Sequence, residues 1–183
     1  MTDIFKTYIE GVFEIRTEPF KDNRGKFVNV FRSNESSYLK AWGSKGVNQV
    51  NISETKFIGS IRGLHLQRNP YSESKLIKCL EGEVWDVAVD LRKTSKTFLN
   101  WISLKLSDSM QNGIIIPPGC AHGFQVLEPN SKMLYLHSGH WEKEFEIGYR
   151  WDDPTFQIKW PLEVTEISSK DKNLPFFNND QIL

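Results

Sequence analysis

Lys75-Leu76-Ile77-Lys78-Cys79-Leu80-Glu81-Gly82-Glu83-Val84-Trp85-Asp86-Val87-Ala88-Val89-Asp90-Leu91 reads as two β-strands joined by a tight turn. Glu81-Gly82 supplies the turn, and the runs on either side are rich in apolar and β-branched residues. In the second run, alternation puts Val84, Asp86, Ala88 and Asp90 on one face and Trp85, Val87, Val89 and Leu91 on the other. The second face is the expected dry one. Asp86 then points either toward a space that holds water or a ligand, or onto a solvated outer face, and the pattern alone leaves both open.

Outward from this pair the same pattern recurs. Strand-like runs cover residues 47–53, 58–67, 101–106, 113–116, 122–127 and 133–137, separated by turns at Ser107-Asp108-Ser109, Pro117-Pro118-Gly119 and Glu128-Pro129-Asn130. Many short strands at close, even spacing indicate a sandwich or small barrel. Upstream, residues 12–31 read as a hairpin turning at Lys21-Asp22-Asn23-Arg24-Gly25. Residues 34–42 read as a short helix with Ser33 or Asn34 as N-cap and Gly43 as its stop. Beyond Trp141 the pattern weakens, with turns at Trp151-Asp152-Asp153-Pro154 and Trp160-Pro161 and a polar, helical turn over 168–173. This last segment is expected to wrap the barrel.

Composition bounds the function. With 183 residues the whole chain, 1–183, is expected to form one domain with a proper core. Lys+Arg and Asp+Glu are both 23, so no global field recruits nucleic acid or an anionic membrane, and an anionic ligand must be held by a local cluster of cations. Cys79 and Cys120 lie in no CxxC spacing, nothing at the start resembles a signal sequence, and no apolar run approaches a membrane span. The expected home is the cytoplasm. Six Trp and twelve Phe suggest large apolar anchors in a barrel, pocket or interface.

Chemistry concentrates in Ile61-Arg62-Gly63-Leu64-His65-Leu66-Gln67, which offers a fixed cation, a flexible backbone point, a proton-exchanging imidazole and an amide. A metal-binding barrel would place two His one residue apart; here the second is Gln67, and the next strand brings Lys75, whose ammonium repels a cation. No metal is expected. Strict alternation puts His65 and Gln67 on one face and Arg62 on the other, so a bulge at Gly63 is needed to bring all three to one pocket. Phosphate loops, dinucleotide fingerprints and serine-nucleophile elbows are all missing. What remains, with His65, Tyr135, Lys75, Arg62 and several Asp, suits abstraction of a proton next to a carbonyl.

These residues carry a family resemblance. Asp22-x-Arg24-Gly25, Arg62-Gly63-Leu64-His65-x-Gln67, Lys75-Leu76, residues 82–92, Ile116-Pro117-x-Gly119-x-Ala121-His122-Gly123-Phe124, Leu134-Tyr135, Trp151-x-Asp153-Pro154 and Ser169-Lys170-Asp171 together resemble the dTDP-4-dehydrorhamnose 3,5-epimerase family, from about 11 to about 175. The resemblance implies an all-β double-stranded β-helix, a cupin-like jelly roll with short peripheral helices, acting as a homodimer without cofactor. The implied ligand is a nucleotide-diphosphate 4-keto-6-deoxysugar inverted at C3 and C5. It also implies His65 as general base with Asp171 as its orienting carboxylate, Tyr135 as acid on the opposite face, and Lys75 at the C4 enolate oxygen. Among binding residues it implies His122 and Asp86 lining the sugar pocket, with Arg62 and Arg24 near the diphosphate. Gln49, Asn51, Gln67, His140 and Trp141 complete the expected substrate contacts.

The chain departs from the family where the nucleobase is met. Lys26 stands where an aromatic is usual, Asn29 where a glutamate is usual, and His140-Trp141 replaces a tyrosine pair; the stretch between Asn51 and Arg62 is one residue longer. A different nucleotide, a different 4-keto sugar or inversion of a single centre are the alternatives. A non-catalytic sugar-nucleotide-binding cupin is the more distant one.

Overall fold

The computed structural model describes residues 2–34, 38, 41–43 and 45–179. Strands β1 (Thr2–Lys6), β2 (Phe13–Thr17), β3 (Phe20–Asp22), β4 (Gly25–Phe27), β5 (Gln49–Thr55), β6 (Ile61–Gln67) and β7 (Lys75–Glu81) are followed by β8 (Glu83–Asp90), β9 (Trp101–Ser107), β10 (Asn112–Ile116), β11 (Cys120–Val126), β12 (Ser131–His137) and β13 (Glu146–Gly148). Helical structure among the described residues includes Tyr38, Ala41 and Trp42 in the stretch expected to be a helix, a 3-10 turn, Lys143–Phe145, and the single turn α1 (Ser169–Lys172). No helix is long and apolar enough to cross a membrane among the described residues.

Two antiparallel sheets face each other in a jelly roll, a six-stranded one ordered β1-β2-β10-β7-β12-β5 and a five-stranded one ordered β13-β6-β11-β8-β9. Because strand side chains alternate, each sheet contributes one face to a shared interior: Ile77, Cys79, Ile114, Ile116 and Met133 from the first meet Val84, Ala88, Leu106, Cys120, Phe124 and Val126 from the second. The outer face of the five-stranded sheet is dry as well. Leu64, Leu66, Val87, Val89, Leu91 and Ala121 pack there against Tyr149 and Phe156, so the C-terminal segment does cover the barrel as expected.

Both faces of β8 are buried: Val87, Val89 and Leu91 form the expected dry face, under the C-terminal segment, while Val84 and Ala88 lie in the core between the sheets, and Asp86 and Asp90 are fully enclosed. Alternation distinguishes a dry face from a wet one only when one side of a sheet meets water. Here neither does. Asp90 survives burial because Arg92, Ser95 and Thr97 all donate to its carboxylate, and these bonds outweigh the upward push of burial to hold its pKa at about 2.

The amino-terminal hairpin is shorter than expected. Its paired strands are β3 and β4, while β2 joins the large sheet beside β10 and β1. Most of the helix expected over 34–42 falls outside the described residues, but Tyr38, Ala41 and Trp42 within it are buried with Ile15, Leu76, Ile115 and Leu136 on the outer face of the six-stranded sheet.

Candidate active site

At one end of the sandwich the two sheets leave a cavity of about 510 Å³. One wall comes from β6 and β11 of the five-stranded sheet; the other comes from β5, β7 and β12 of the six-stranded sheet. Their inward positions are polar where the rest of the interior is apolar.

On the first wall, His65 pairs across the ladder with His122, but the next register pair is Arg62 with Phe124. Gly63 and Leu64 of β6 therefore oppose Gly123 alone, which is the bulge the alternation required. It sends Leu64 outward into the cluster under the C-terminal segment and leaves Arg62 lining the cavity with His65 and Gln67. Only glycine fits here: Gly63 has φ +117°, and a Cβ on it would lie 2.6 Å from Gly123 Cα. Arg62 is steadied by donating to Thr55 Oγ1 at 2.8 Å and to the Glu54 carbonyl at 3.0 Å.

His65 Nε2 lies 2.8 Å from Asp171 Oδ1. The carboxylate also accepts from the Gly63 N–H at 3.1 Å, and its own N–H donates to Ser168 Oγ, the cap of α1. Burial pushes the Asp171 pKa up, but the hydrogen bond and charge of His65, the Gly63 N–H and the charge of Lys170 outweigh it and hold the group ionised. An ionised carboxylate has no proton to give, so Nε2 carries the hydrogen and Nδ1 is left as the basic nitrogen. Beside it, His122 Nε2 lies 2.8 Å from Asp86 Oδ2. Burial raises the Asp86 pKa against the opposing pull of His122, and Asp86 Oδ1 is buried without a partner.

On the facing wall, Tyr135 Oη is 3.2 Å from Ser53 Oγ, and burial pushes the phenol well above its ordinary pKa. It is a proton donor at neutral pH. Lys75 is buried, which pushes its pKa down against the charges of Glu73 and Glu146; Glu73 Oε1 is 3.8 Å from its ammonium. At the mouth, Lys170 and Glu146 pair at 2.6 Å, and Trp141, half exposed, has its backbone N–H held by Gln49 Oε1 at 2.9 Å. Chemically the cavity offers a carboxylate-backed imidazole on one wall and a phenol with a buried ammonium on the other.

The model of the dTDP-4-dehydrorhamnose 3,5-epimerase family matches residues 6–179. The chain belongs to that family. It is 38% identical over 172 residues to dTDP-4-dehydrorhamnose 3,5-epimerase of Shigella flexneri, covering 93% of each chain. The Legionella pneumophila dTDP-6-deoxy-D-glucose-3,5-epimerase, solved in complex with dTDP-4-keto-L-rhamnose, superposes with a TM-score of 0.89 at 34% identity, over 96% of this chain and 93% of that one. A 3'-monoepimerase from Streptomyces bikiniensis, in complex with dTDP-quinovose, superposes at 0.85 with 27% identity, over 94% of this chain and 86% of that one.

Of the residues singled out from the sequence of this family member, His65, Asp171, Tyr135, Lys75, Gln49, Asn51, Arg62, Gln67, His122 and Trp141 line one cavity. Three do not. Asp86 sits behind His122 with no exposed surface, because it lies on the face of β8 turned to the other sheet, with Val84 and Ala88. His140 is exposed and contributes only its carbonyl, which accepts from Gln67 Nε2. Arg24 stands on the β3–β4 hairpin, 90% exposed and paired with Asp22, outside the cavity. Gln67 lines the cavity, yet its amide is spent on the Tyr71 and His140 carbonyls and the Glu142 N–H, so it braces the loop that carries Trp141.

Sequence reasoning missed Ser53, Leu66, Glu73, Phe124, His137, Glu146, Ser168 and Lys170 as lining residues. Alternation could have found His137, two residues from Tyr135 and opposite Lys75 in the ladder. Glu73 lies before its strand begins, where no periodicity applies.

Proposed function

We propose that this chain is a cofactor-independent epimerase that inverts C3 and C5 of dTDP-4-dehydro-6-deoxyglucose, or a closely related nucleotide-linked 4-keto-6-deoxyhexose, through enolates. The observation that carries this reading is the placement of a carboxylate-backed imidazole on one wall of the cavity, with a phenol and a buried lysine on the other. Epimerisation needs a base on one side of the carbon and an acid on the other.

The ketone at C4 acidifies the hydrogens at C3 and C5, so both inversions pass through enolates that share one oxygen. His65 takes the proton at Nδ1, with Asp171 stabilising the imidazolium through Nε2–H. Lys75 holds the shared enolate oxygen, and a well-placed donor of this kind is worth about 3 to 4 kcal/mol. Tyr135 returns a proton from the opposite face. Arg62 and Lys170 are the cations for the diphosphate, with Trp141 as a stacking surface for the base. His122 and Asn51 complete the sugar contacts.

Two further assignments belong to this reading. The protein works in the cytoplasm, where Cys79 and Cys120, both free and buried, stay reduced. It acts as a homodimer, in which Arg24, too far out on its hairpin to serve its own cavity, is available to the partner's.

The test is incubation with dTDP-4-keto-6-deoxyglucose in D2O, following deuterium entry at C3 and C5 by NMR. Entry at both centres, abolished in His65→Ala, is the expected result. Entry at one centre alone reassigns the protein to single-centre epimerisation, as in the monoepimerase it resembles. Entry only with a UDP, CDP or GDP analogue reassigns the base. No entry with any of them leaves the non-catalytic binding reading.

A further inference from the structure

Buried Glu73 and mostly buried His137, which the proton-transfer reading does not use, cluster with Lys75. Lys75 and His137 are direct neighbours across the β7–β12 ladder. Glu73 precedes β7 and is clamped in place, since the next residue, Ser74, donates its N–H to Ser138 Oγ at 2.8 Å and accepts from the Ser138 N–H at 3.0 Å. The side chain of Glu73 is 5% exposed, with Oε1 3.2 Å from His137 Nδ1 and 3.8 Å from Lys75 Nζ. On its far side, His137 Nε2 lies 3.3 Å from Asn51 Nδ2. The Asn51 contact fixes a tautomer: Asn51 donates to Nε2, so the hydrogen of the neutral ring sits on Nδ1, the nitrogen nearer Glu73.

The distances divide the carboxylate's two effects. His137 Nδ1 approaches Oε1 to 3.2 Å, the nearer of its two ion-pair neighbours, whereas 3.8 Å to the lysine is beyond hydrogen-bond length but well inside Coulombic range. A carboxylate in direct contact with the ammonium would keep it charged but would occupy N–H groups that a developing oxyanion needs. Without a carboxylate, burial would push the lysine pKa further down.

We infer that Glu73, held back by His137, is a positioning residue that keeps Lys75 charged while leaving its N–H donors free for the substrate oxygen. The inference rests on the reading of Lys75 as the cation facing the enolate. The other charged or titratable groups around the same space are His65 and Arg62 on β6, His122 on β11, Tyr135 on β12, Glu146 on β13, and Lys170 and Asp171 on α1. Of these Glu146 alone adds to the support of the lysine charge. The flanking strand β10 brings no ionisable side chain, and β5 lines the cavity with Gln49, Asn51 and Ser53.

Two measurements on the same proteins test this. The Lys75 side chain is titrated by NMR in the ligand-free protein, and the pH dependence of deuterium wash-in is followed for wild type, Glu73→Gln and Glu73→Asp. Removing a negative neighbour lowers a lysine pKa, so in Glu73→Gln the Lys75 titration and the alkaline limb of the kcat profile should both move about 1–3 pH units toward acid. KM should change less than about threefold, because the glutamine keeps the shape of the side chain. Glu73→Asp, which restores the charge, should bring the limb back toward wild type. An unmoved Lys75 titration in Glu73→Gln overturns the inference. A titration that moves while the wash-in profile does not bears out the charge support and refutes the oxyanion role of Lys75, so the two failures are distinguishable. Should Glu73→Gln unfold, a wild-type titration in His137→Gln together with wild-type kcat at every pH overturns the inference equally.

Discussion

At the scale of single residues, the site depends on which proton sits where. Asp171 is 3% exposed, ionised, and bonded to both His65 and the Gly63 N–H. Asparagine in its place would offer an N–H where a carboxylate oxygen now receives one, favouring the wrong imidazole tautomer. Asp171→Asn is expected to cut wash-in at both centres by as much as 10⁴-fold, by analogy with the His-Asp couple of hydrolases, with little change in KM. Rates within threefold of wild type would remove Asp171 from the mechanism. The same group gives a pH signature. Its folded pKa is depressed below the ordinary 3.8, so the stability it contributes is present above 3.8 and lost as pH falls through the folded value. Acid denaturation curves of Asp171→Asn should therefore be shallower below pH 4 than those of wild type. Tyr135→Phe separates the two faces: abstraction by His65 still lets deuterium enter, but without the acid opposite it the inverted product should form far more slowly than label is taken up. Equal impairment of both would place Tyr135 in abstraction itself.

At the scale of elements, the strands were readable because their signal is local. Each run from β5 to β12 follows from alternation bounded by Gly, Pro or Asn turns, and the observed boundaries differ by no more than three residues from those expected. Site residues on those strands were readable too, once the family pattern joined them. What could not be read is set by partners distant in sequence. The fate of Asp86 depended on the facing sheet and on His122 of β11, the exile of Arg24 on the direction of a hairpin, and the role of Glu73 on a loop clamp through Ser138. The β6–β11 crossing shows how far an element can determine a site. Gly63 and Gly123 touch backbone to backbone, and a Cβ on Gly123 would lie 2.8 Å from the Arg62 carbonyl and 2.9 Å from Leu64 Cδ2. Gly123→Ala must push the strands apart where the bulge aims Arg62 and His65. Overpacking of this kind costs roughly 1–3 kcal/mol, so a lower Tm is expected together with a fall in wash-in larger than the stability loss explains. A lower Tm with unchanged kcat at a temperature where the fold is intact would mean the bulge serves the fold alone.

At the scale of the whole molecule, one sheet is finished and the other is not. The outer face of the five-stranded sheet is sealed by the C-terminal segment, and most of the six-stranded sheet is covered by the chain around Tyr38 and Trp42. Its last strand is bare. β5 is an edge strand whose outward residues Val50 and Ile52 are 57% and 66% exposed, and Leu80 of β7 is 43% exposed on the same side. An uncovered apolar edge of a sheet is a pairing surface, and natural chains leave one only where something covers it. The inward face of the same strand carries Gln49, Asn51 and Ser53 into the cavity, so whatever covers the edge also braces the site. A second copy of this chain fits the dimer proposed above, and the exposed hairpin with Phe20, Arg24 and Phe27 has the reach to lie on a neighbour. Light scattering should give twice the 21.3 kDa chain mass for wild type. Val50→Glu combined with Ile52→Glu should give a monomer with an unchanged circular dichroism spectrum, because charges cost nothing on a wet face and several kcal/mol in a dry one. If Arg24 serves the partner's cavity, Arg24→Ala should weaken substrate binding in the dimer, and the monomeric variant should show the same loss with no further effect of Arg24→Ala. A monomeric wild type, or a double variant that stays dimeric, would remove β5 from the interface and leave Arg24 without a role.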